Sequence, residues 1–295
     1  MLSVTEFFAD VSREVDGTLD TIIPKADVEP TRLHEAIRWS VFAGGKRIRP
    51  AILMATGRTF GVSSEQLANT SAAVEMIHTY SLIHDDLPSM DDDELRRGKA
   101  TCHKQFGEAT AILAGDVLQT LAFKAIADDE TLTAEIRLIL ISLLAEAAGT
   151  PAGMVSGQQL DLDAEGRELS IGEIETIHGQ KTGALISAAA LSGAIIGNAA
   201  NNELGAIESY STSLGLLFQI TDDLLDVTQA TETLGKTAGK DAVAEKATYP
   251  GHYGVEETKA MASTVRDEAC DALSHVEKDT TLLIELADFV LSRTR

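Results

Sequence analysis

The sequence predicts an all-α protein, and three observations support this fold class. Apolar residues recur at spacings of three and four along most of the chain, which is the period of an amphipathic helix. Only 6 of the 295 residues are proline, whereas alanine and leucine are frequent and runs of β-branched residues are few. No segment alternates with the period of two that a half-buried strand requires.

Helices are expected wherever this period persists, with charged loops between them. The predicted helices cover residues 31–43, 50–60, 65–87, 107–127, 131–149, 171–199, 203–229 and 256–293, the last as two helices. Three interruptions rich in charge separate them: Gly44–Pro50, Pro88–His103 and Thr231–Pro250. Because a rigid scaffold commonly presents functional residues on its loops, we expect the chemistry in or beside these segments.

Glycines and prolines set several helix ends. Gly44 and Gly45 suit a helix C-terminus, and Pro50 suits the first turn of the helix that follows. The longest apolar stretch, Ala184–Ala200, consists largely of alanine and glycine and contains two serines and an asparagine. A membrane span needs about 20 mostly apolar residues, so this stretch is predicted to be a tightly packed buried helix.

Length and composition restrict the class of protein further. The 295 residues, 44% of them hydrophobic, allow one large core or two; we expect a single domain over residues 1–295. The formal net charge of −22 argues against nucleic acid or an anionic membrane as a partner. Cys102 and Cys270 provide neither a disulfide framework nor a thiolate metal site. The N-terminal residues lack the basic region of a signal peptide, so a cytoplasmic location is expected.

Carboxylates form a narrow stripe on the predicted helix 203–229. At about 100° per residue, one arc of about 100° contains Gln219, Asp222, Asp223 and Asp226. Like charges four residues apart repel, and more strongly where water is excluded, so a cation should offset them. Oxygen ligands without nearby histidine or cysteine favour Mg²⁺, Mn²⁺ or Ca²⁺. A single DDxxD pattern is weak evidence, because acidic pairs are common on surfaces.

A second carboxylate cluster ends the predicted helix 65–87. Pro88 cannot continue this helix, so Asp91 must return from a loop toward Asp85. Arg96 and Arg97 follow at once, and salt bridges between these acids and arginines are one interpretation. A site for a magnesium-bound diphosphate is the other, because it needs acids for the metal and guanidinium groups for the remaining phosphate oxygens.

The basic stretch 44–50 is a candidate anion site. Lys46 and Arg49 are placed just before the predicted helix 50–60, and a helix N-terminus attracts anions without a metal. A solvated basic patch is the alternative for this run alone. His78 lies two turns before Asp85 on the same helix face, but its spacing alone would not select it as a ligand.

Together these stretches resemble the trans-prenyl diphosphate synthases of the polyprenyl synthetase family, most closely the bacterial farnesyl diphosphate synthases. The resemblance is carried by GGKRIRP at 44–50, the run 78–116, GQQLDL at 157–162, KTGAL at 181–185, FQITDDLLD at 218–226, and LGKTAGKD with EKATYP between 234 and 250. These motifs follow the family's order along nearly the whole chain. The resemblance implies an isoprenoid synthase fold, which is one bundle of antiparallel helices around a deep central cavity, and a homodimer.

The resemblance also implies roles for individual residues. Isopentenyl diphosphate would be bound by Lys46, Arg49, His78 and Arg97. The allylic diphosphate would be bound by Arg96, Lys181, Thr182, Gln219, Lys236 and Lys246. Three magnesium ions, replaceable by Mn²⁺, would be held by Asp85, Asp86, Asp91, Asp222 and Asp226. The catalytic residues would be Asp85, Asp91, Lys181, Thr182, Gln219 and Asp222.

The implied activity is condensation of isopentenyl diphosphate with dimethylallyl and geranyl diphosphate to (2E,6E)-farnesyl diphosphate, by ionisation, condensation and elimination. The segment Thr231–Pro250 is expected to act as a lid. Helical geometry places Ser81 below Asp85 as the floor of the cavity, whereas the resemblance assigns chain-length control to Tyr80 with a small residue at Ser81. Geranylgeranyl diphosphate synthase is the alternative product assignment.

Three other classes of protein share some of these features, but each is disfavoured by one of them. A metal-dependent phosphohydrolase would need further histidine ligands, and no suitable set stands out among the seven histidines. A terpene cyclase has no need of the anion site at Lys46 and Arg49. A non-catalytic subunit of a heteromeric synthase typically lacks acids in one cluster, and both clusters are intact here.

Overall fold

The chain is almost wholly helical, as predicted, in the computed structural model, which describes residues 3–228 and 248–293. Its helices are α1 Val4–Ile22, α2 Thr31–Val41, α3 Ile48–Thr59, α4 Ser64–Asp85, α5 Cys102–Phe106, α6 Glu108–Ala127, α7 Ala134–Ala148, α8 Met154–Ala164, α9 Ile171–His178, α10 Ala184–Ile196, α11 Asn201–Thr228, α12 Tyr249–Tyr253, α13 Val255–Ala272 and α14 Thr281–Ser292. A π-helical segment, Gly179–Gly183, joins α9 to α10, and a 3₁₀ turn, Leu273–His275, follows α13. Two short strands, β1 Leu95–Arg96 and β2 Lys99–Ala100, pair antiparallel.

The sequence-based prediction differs from the structure in several places, and the β1–β2 hairpin and the short helices α5 and α12 were not predicted. Helices α1 and α8 were not predicted, although α1 buries Phe7, Val11, Val15 and Leu19 at a regular spacing of four. The predicted helix 171–199 is interrupted by the π-helical segment. Arg49 lies in the first turn of α3 rather than before the helix.

Contacts between Cα atoms divide the chain into two compact units. Unit 1 comprises Met1–Met54 and Ser63–Ile141, and unit 2 comprises Ala55–Val62 and Ser142–Arg295. The first carboxylate cluster and the basic stretch 44–50 belong to unit 1, whereas the DDxxD stripe belongs to unit 2. The single domain over residues 1–295 stays a prediction.

Helix α4 is the central element of unit 1, and it packs against α1 and α6. Every residue from 70 to 77 is buried, which is typical of a helix surrounded by other elements. On α6, a Cβ atom at Gly115 would overlap the ring of His84, so only glycine allows the two helices to approach this closely. This packing fixes the end of α4, where the first carboxylate cluster begins.

Helix α11 has the corresponding role in unit 2, where it packs against α10, α13 and α14. Small side chains line the buried face of α10, including Ala188, Ala189 and Ala190. The hydroxyl of Tyr210 on α11 donates a hydrogen bond of 2.7 Å to the carbonyl of Leu283 on α14. The C-terminal helix is therefore held against the helix that carries the DDxxD stripe.

Among the helices that the structure describes, α6 is long and apolar enough to cross a membrane by length and composition. Its most apolar window is 39% buried, and the core helix of a soluble protein passes the same test. One such helix is weak evidence of a membrane span, so the expectation that the chain has no membrane partner stays a prediction.

Candidate active site

A buried arginine fixes the loop between α2 and α3. Arg47 has a positive φ of 51°, and its side chain is 1% exposed. Its guanidinium donates to Glu75 on α4 at 2.6 Å and to Asp16 on α1 at 2.7 and 3.0 Å. Since these contacts hold the loop against two helices, Arg47 is a structural residue that positions the predicted ligands Lys46 and Arg49.

The structure brings together three of the four predicted isopentenyl diphosphate ligands in unit 1. Arg97 donates a hydrogen bond to the carbonyl of Gly44, and a Cβ atom at Gly45 would lie 2.5 Å from the Arg97 guanidinium carbon. Burial, followed by the positive charges of Arg49 and Arg97, lowers the pKa of His78 well below its usual value. A neutral histidine therefore lies among arginines, which is an arrangement suited to a polyanion. Lys46 belongs to the same loop as Gly44 and Gly45.

The β1–β2 hairpin positions the two arginines that follow the first acid cluster. Its turn residues, Arg97 and Gly98, have φ values of 54° and 75°, as a two-residue turn between twisted strands requires. Arg96 donates to Asp86 at 2.8 Å through Nε and forms an ion pair with Asp93 at 3.3 Å. Asp86 is 3% exposed, and burial raises its pKa although Arg96 opposes that effect. These residues form a salt bridge, which is one of the two interpretations of this segment of the sequence.

The first acid cluster has the predicted loop geometry. Helix α4 ends at Asp85, and the backbone N–H of Asp91 donates a hydrogen bond of 2.8 Å to the carbonyl of Asp85. The return of Asp91 toward Asp85 is thus confirmed. The two residues lie next to each other at the start and end of a single tight loop.

The two predicted chain-length residues lie just before Asp85 on α4. Tyr80 is 5% exposed, and its ring meets the ring of His84 edge-on at 5.8 Å. Burial, and then the negative charge of Asp85, raise the pKa of Tyr80 to about 12. The hydroxyl of Ser81 donates to the carbonyl of His78 at 2.9 Å. The Tyr80 ring thus faces inward, and the assignment of product length to it stays a prediction.

Lys181 and Thr182 lie in the π-helical segment of unit 2, and such segments are frequent at functional sites. Lys181 forms an ion pair of 2.6 Å with Asp161 on α8. Helix α8 approaches the π-helical segment closely at Gly157, which has no Cβ atom. A Cβ atom at this position would overlap the Lys181 backbone. At Gly215 on α11, a Cβ atom would lie 3.0 Å from the Cα of the last π-helical residue. The segment therefore packs on α11 one turn before Gln219.

The DDxxD stripe on α11 divides into residues with different surroundings. Asp223 is 8% exposed and accepts a hydrogen bond of 2.9 Å from the backbone N–H of Tyr249 at the start of α12. Asp222 and Asp226 are half-buried. Asp222 forms an ion pair of 2.9 Å with Arg293, just after α14. Asp223 is therefore structural, and Arg293 provides a positive charge beside Asp222.

Some predicted site residues lie outside the described part of the chain. They are Lys236 and Lys246, together with most of the expected lid Thr231–Pro250. Over residues 3–228 and 248–293, no group of three or more His, Cys, Asp and Glu side chains is arranged to hold a metal ion. Sequence reasoning missed Arg47, Asp161 and Arg293, because their roles depend on contacts with residues distant in the sequence.

Comparisons with known proteins agree with this arrangement. The polyprenyl synthetase family model matches residues 30–283. A farnesyl diphosphate synthase of Escherichia coli (strain K12) is 45% identical over 96% of this chain and 96% of its own length. The large subunit 1 of a heterodimeric chloroplastic geranylgeranyl pyrophosphate synthase of Arabidopsis thaliana is 43% identical over 95% of this chain and 76% of its own. The crystal structure of an FPP/GFPP synthase from Zymomonas mobilis has a TM-score of 0.88 at 35% identity, covering 98% of this chain and 99% of its own. The chain is therefore a prenyltransferase that belongs to the polyprenyl synthetase family.

Proposed function

We propose that the chain condenses isopentenyl diphosphate with dimethylallyl diphosphate and then with geranyl diphosphate, giving (2E,6E)-farnesyl diphosphate. The observation that carries this proposal is that two chemically different groups of residues, one basic and one acidic, lie along and at the end of α4. Arg49 and Arg97 lie close enough to His78 to act on its charge, and the backbone of Asp91 returns to Asp85 two turns further along α4. One site suits a metal-free diphosphate and the other a metal-bound one, so the arrangement accommodates two diphosphate substrates.

The carboxylates present fit magnesium. Mg²⁺ prefers oxygen ligands and commonly binds through one or two carboxylates together with water and substrate phosphates. Asp85 and Asp91 would hold it in unit 1, and Asp222 and Asp226 in unit 2, with Asp86 assisting through its contact with Arg96. When bound, the metal would stabilise the charge that develops on the departing diphosphate.

The chain's own residues contribute binding, orientation and exclusion of water. Lys46, Arg49, His78 and Arg97 hold isopentenyl diphosphate. Arg96, Lys181, Lys236 and Lys246 neutralise the allylic diphosphate as its C–O bond breaks. The side chains of Thr182 and Gln219 direct their oxygens toward the allylic cation, which the isopentenyl double bond attacks. The departing diphosphate takes the proton that is then lost, and apolar surroundings keep water from the cation.

The fifteen-carbon product is proposed on the basis of Tyr80 and the relatives. Tyr80 is a bulky, nearly buried side chain one turn below the first acid cluster, which is where growth of an isoprenoid chain would be blocked. Farnesyl diphosphate synthases of Escherichia coli, Geobacillus stearothermophilus and Bacillus subtilis are 42–45% identical to the chain. A geranylgeranyl diphosphate synthase of Cyanophora paradoxa is 42% identical, so geranylgeranyl diphosphate is the second candidate product.

A cytoplasmic homodimer is part of the proposal. Helices α6 and α7 of unit 1 expose four large apolar side chains, namely Ile112 and Leu113 on α6 and Leu138 and Ile139 on α7. Exposed apolar residues grouped on two consecutive helices are typical of a surface that a partner covers. Light scattering on the purified chain should give twice the mass of 31.4 kDa, and Leu138→Glu should shift the population toward monomer.

The central experiment is product analysis. The purified chain is incubated with isopentenyl diphosphate, dimethylallyl diphosphate and Mg²⁺, and the dephosphorylated alcohols are separated by chromatography. Farnesol is expected, and it should disappear with EDTA or in Asp222→Ala and return when Mn²⁺ replaces the chelated metal. Geranylgeraniol would favour the second product. Phosphate release without isopentenyl diphosphate would indicate a phosphohydrolase, and a chain that forms no product alone would be a non-catalytic subunit.

A further inference from the structure

The arginine after α14 contacts the helix that carries the DDxxD stripe through Nε and Nη2 of its guanidinium. Arg293 pairs with Asp222 Oδ1 at 2.9 Å, and it donates to Thr221 Oγ1 at 3.0 Å from Nε and 2.7 Å from Nη2. It also donates to the carbonyl of Phe218, and its guanidinium carbon lies 3.8 Å from the centre of the Phe218 ring. All five contacts are made to three residues of α11, Phe218, Thr221 and Asp222.

Burial makes this contact different from a surface ion pair. The Arg293 side chain is 4% exposed, whereas that of Asp222 is 42% exposed. The guanidinium is therefore fixed by packing on the Phe218 ring, and it pairs with one of the two carboxylate oxygens of Asp222. Solvent screening and the entropy cost of ordering two side chains weaken an exposed ion pair. The Arg293 guanidinium is already ordered by stacking on Phe218, so its pairing with Asp222 adds little to that entropy cost.

Arg293 also reduces the repulsion between the carboxylates of the stripe. Asp222 and Asp226 lie four residues apart on α11, a spacing at which like charges repel. Arg293 lies in the position of an offsetting cation for Asp222. A metal ion on the same carboxylate would lie only a few ångström from this guanidinium.

We propose that Arg293 is the resident counter-cation of the second aspartate cluster, and that a divalent metal ion binds Asp222 only in competition with it. This inference rests on the proposed function, because it assigns to Asp222 the metal-binding role stated above. Repulsion between the guanidinium and the metal lowers the affinity of the free enzyme for metal. A diphosphate brought in with the metal offsets that repulsion, so the cluster favours loading of metal and diphosphate together.

Direct metal binding tests this inference without measuring activity. In a background of Asp85→Asn and Asp91→Asn, which removes the first cluster, the free Mn²⁺ concentration is followed by electron paramagnetic resonance. Arg293→Gln removes the charge while keeping a hydrogen-bond donor, and Arg293→Lys keeps the charge. Arg266 provides the matched control, because it pairs with Asp288 on α14 at 2.6 Å and also helps to hold that helix.

The expected result is a tighter Mn²⁺ dissociation constant in Arg293→Gln, by about tenfold, because charges a few ångström apart interact appreciably even when water screens them. Arg293→Lys and Arg266→Gln should stay within about twofold of the background protein. When the measurement is repeated by equilibrium dialysis with inorganic pyrophosphate, the difference in Mn²⁺ dissociation constant between the background protein and Arg293→Gln should become smaller.

Each other outcome has a definite meaning. Unchanged affinity in Arg293→Gln would reduce the contact to a structural one, and weaker affinity would mean that the arginine orients the carboxylate for the metal; either result overturns the inference alone. Equal tightening in Arg266→Gln would assign the effect to a loosened α14 and would also overturn it. If no variant shows Mn²⁺ binding that Asp222→Asn abolishes, the proposed metal role of the second cluster fails as well.

Discussion

Removing the negative charge that pairs with Arg47 should destabilise unit 1 and weaken its anion pocket. The Arg47 and Glu75 side chains are 1% and 2% exposed, so Glu75→Gln leaves a buried guanidinium without its nearest charge. Loss of one partner of a buried pair costs about 3–5 kcal/mol. We expect about 3 kcal/mol, because Asp16 and the Val41 carbonyl still accept hydrogen bonds from Arg47. That loss corresponds to a fall in Tm of about 6–12 °C.

Urea unfolding followed by circular dichroism measures this change. Lys259→Met serves as the control, because Lys259 and Glu256 form an exposed ion pair whose loss should cost less than about 1 kcal/mol. The double variant Arg47→Met, Glu75→Leu should recover most of the stability, since apolar residues can replace a buried pair. Its KM for isopentenyl diphosphate should still be raised, because the loop loses its anchor. A loss below about 0.5 kcal/mol in Glu75→Gln would refute the assignment of Arg47 as the residue that fixes the loop.

Three further predictions concern substrate binding, product length and pH. Arg49→Ala should raise the KM for isopentenyl diphosphate more than that for the allylic substrate, whereas Lys236→Ala should do the reverse; equal effects on both would contradict the division of the two anion sites. Tyr80→Ala should extend the product toward geranylgeranyl diphosphate, Tyr80→Phe should leave it unchanged and Ser81→Phe should shorten it. Chromatography of the dephosphorylated alcohols measures the product length. A fifteen-carbon product from Tyr80→Ala would mean that another residue limits growth of the chain. Since burial and neighbouring arginines lower the pKa of His78 in the folded chain, the unfolded chain binds a proton more readily, so stability should fall as the pH drops below about 6.5. Urea unfolding at pH 7.5 and 5.5 should show a smaller loss in His78→Gln, and an equal loss would exclude His78 as the cause.

Local rules predicted those parts of the site that depend on neighbouring residues. Proline geometry at Pro88 predicted the return of Asp91, and the observed hydrogen bond to Asp85 confirms it. Glycine and proline likewise predicted the break between α2 and α3. Helix α1 could have been predicted by the same rules, because its capping box at Ser3 and Glu6 and its apolar spacing are both visible in the sequence.

Contacts between distant residues were not predictable in this way. Arg47 occurs in a basic run, so sequence alone gives it the same ligand role as its neighbours, and only its burial against Glu75 and Asp16 distinguishes it. The π-helical segment is likewise hidden in a continuous helical pattern, because one extra residue in a turn leaves composition and apolar spacing almost unchanged. The burial of Arg47 and the π-helical segment can be recognised only once the packing of the other helices is known.

The DDxxD stripe shows why one motif can contain different physical roles. A helical wheel places Asp222 and Asp223 on the same arc, and their chemistry is identical. Yet Asp223 is buried and accepts the backbone N–H of Tyr249 at the start of α12, which lies at the C-terminal end of the segment expected to form the lid. A buried carboxylate already satisfied by a backbone donor would lose that bond on binding a metal, whereas Asp222 keeps an exposed oxygen beside its arginine. Asp223→Asn should therefore mainly lower stability and disturb the lid, while Asp222→Asn should mainly lower kcat.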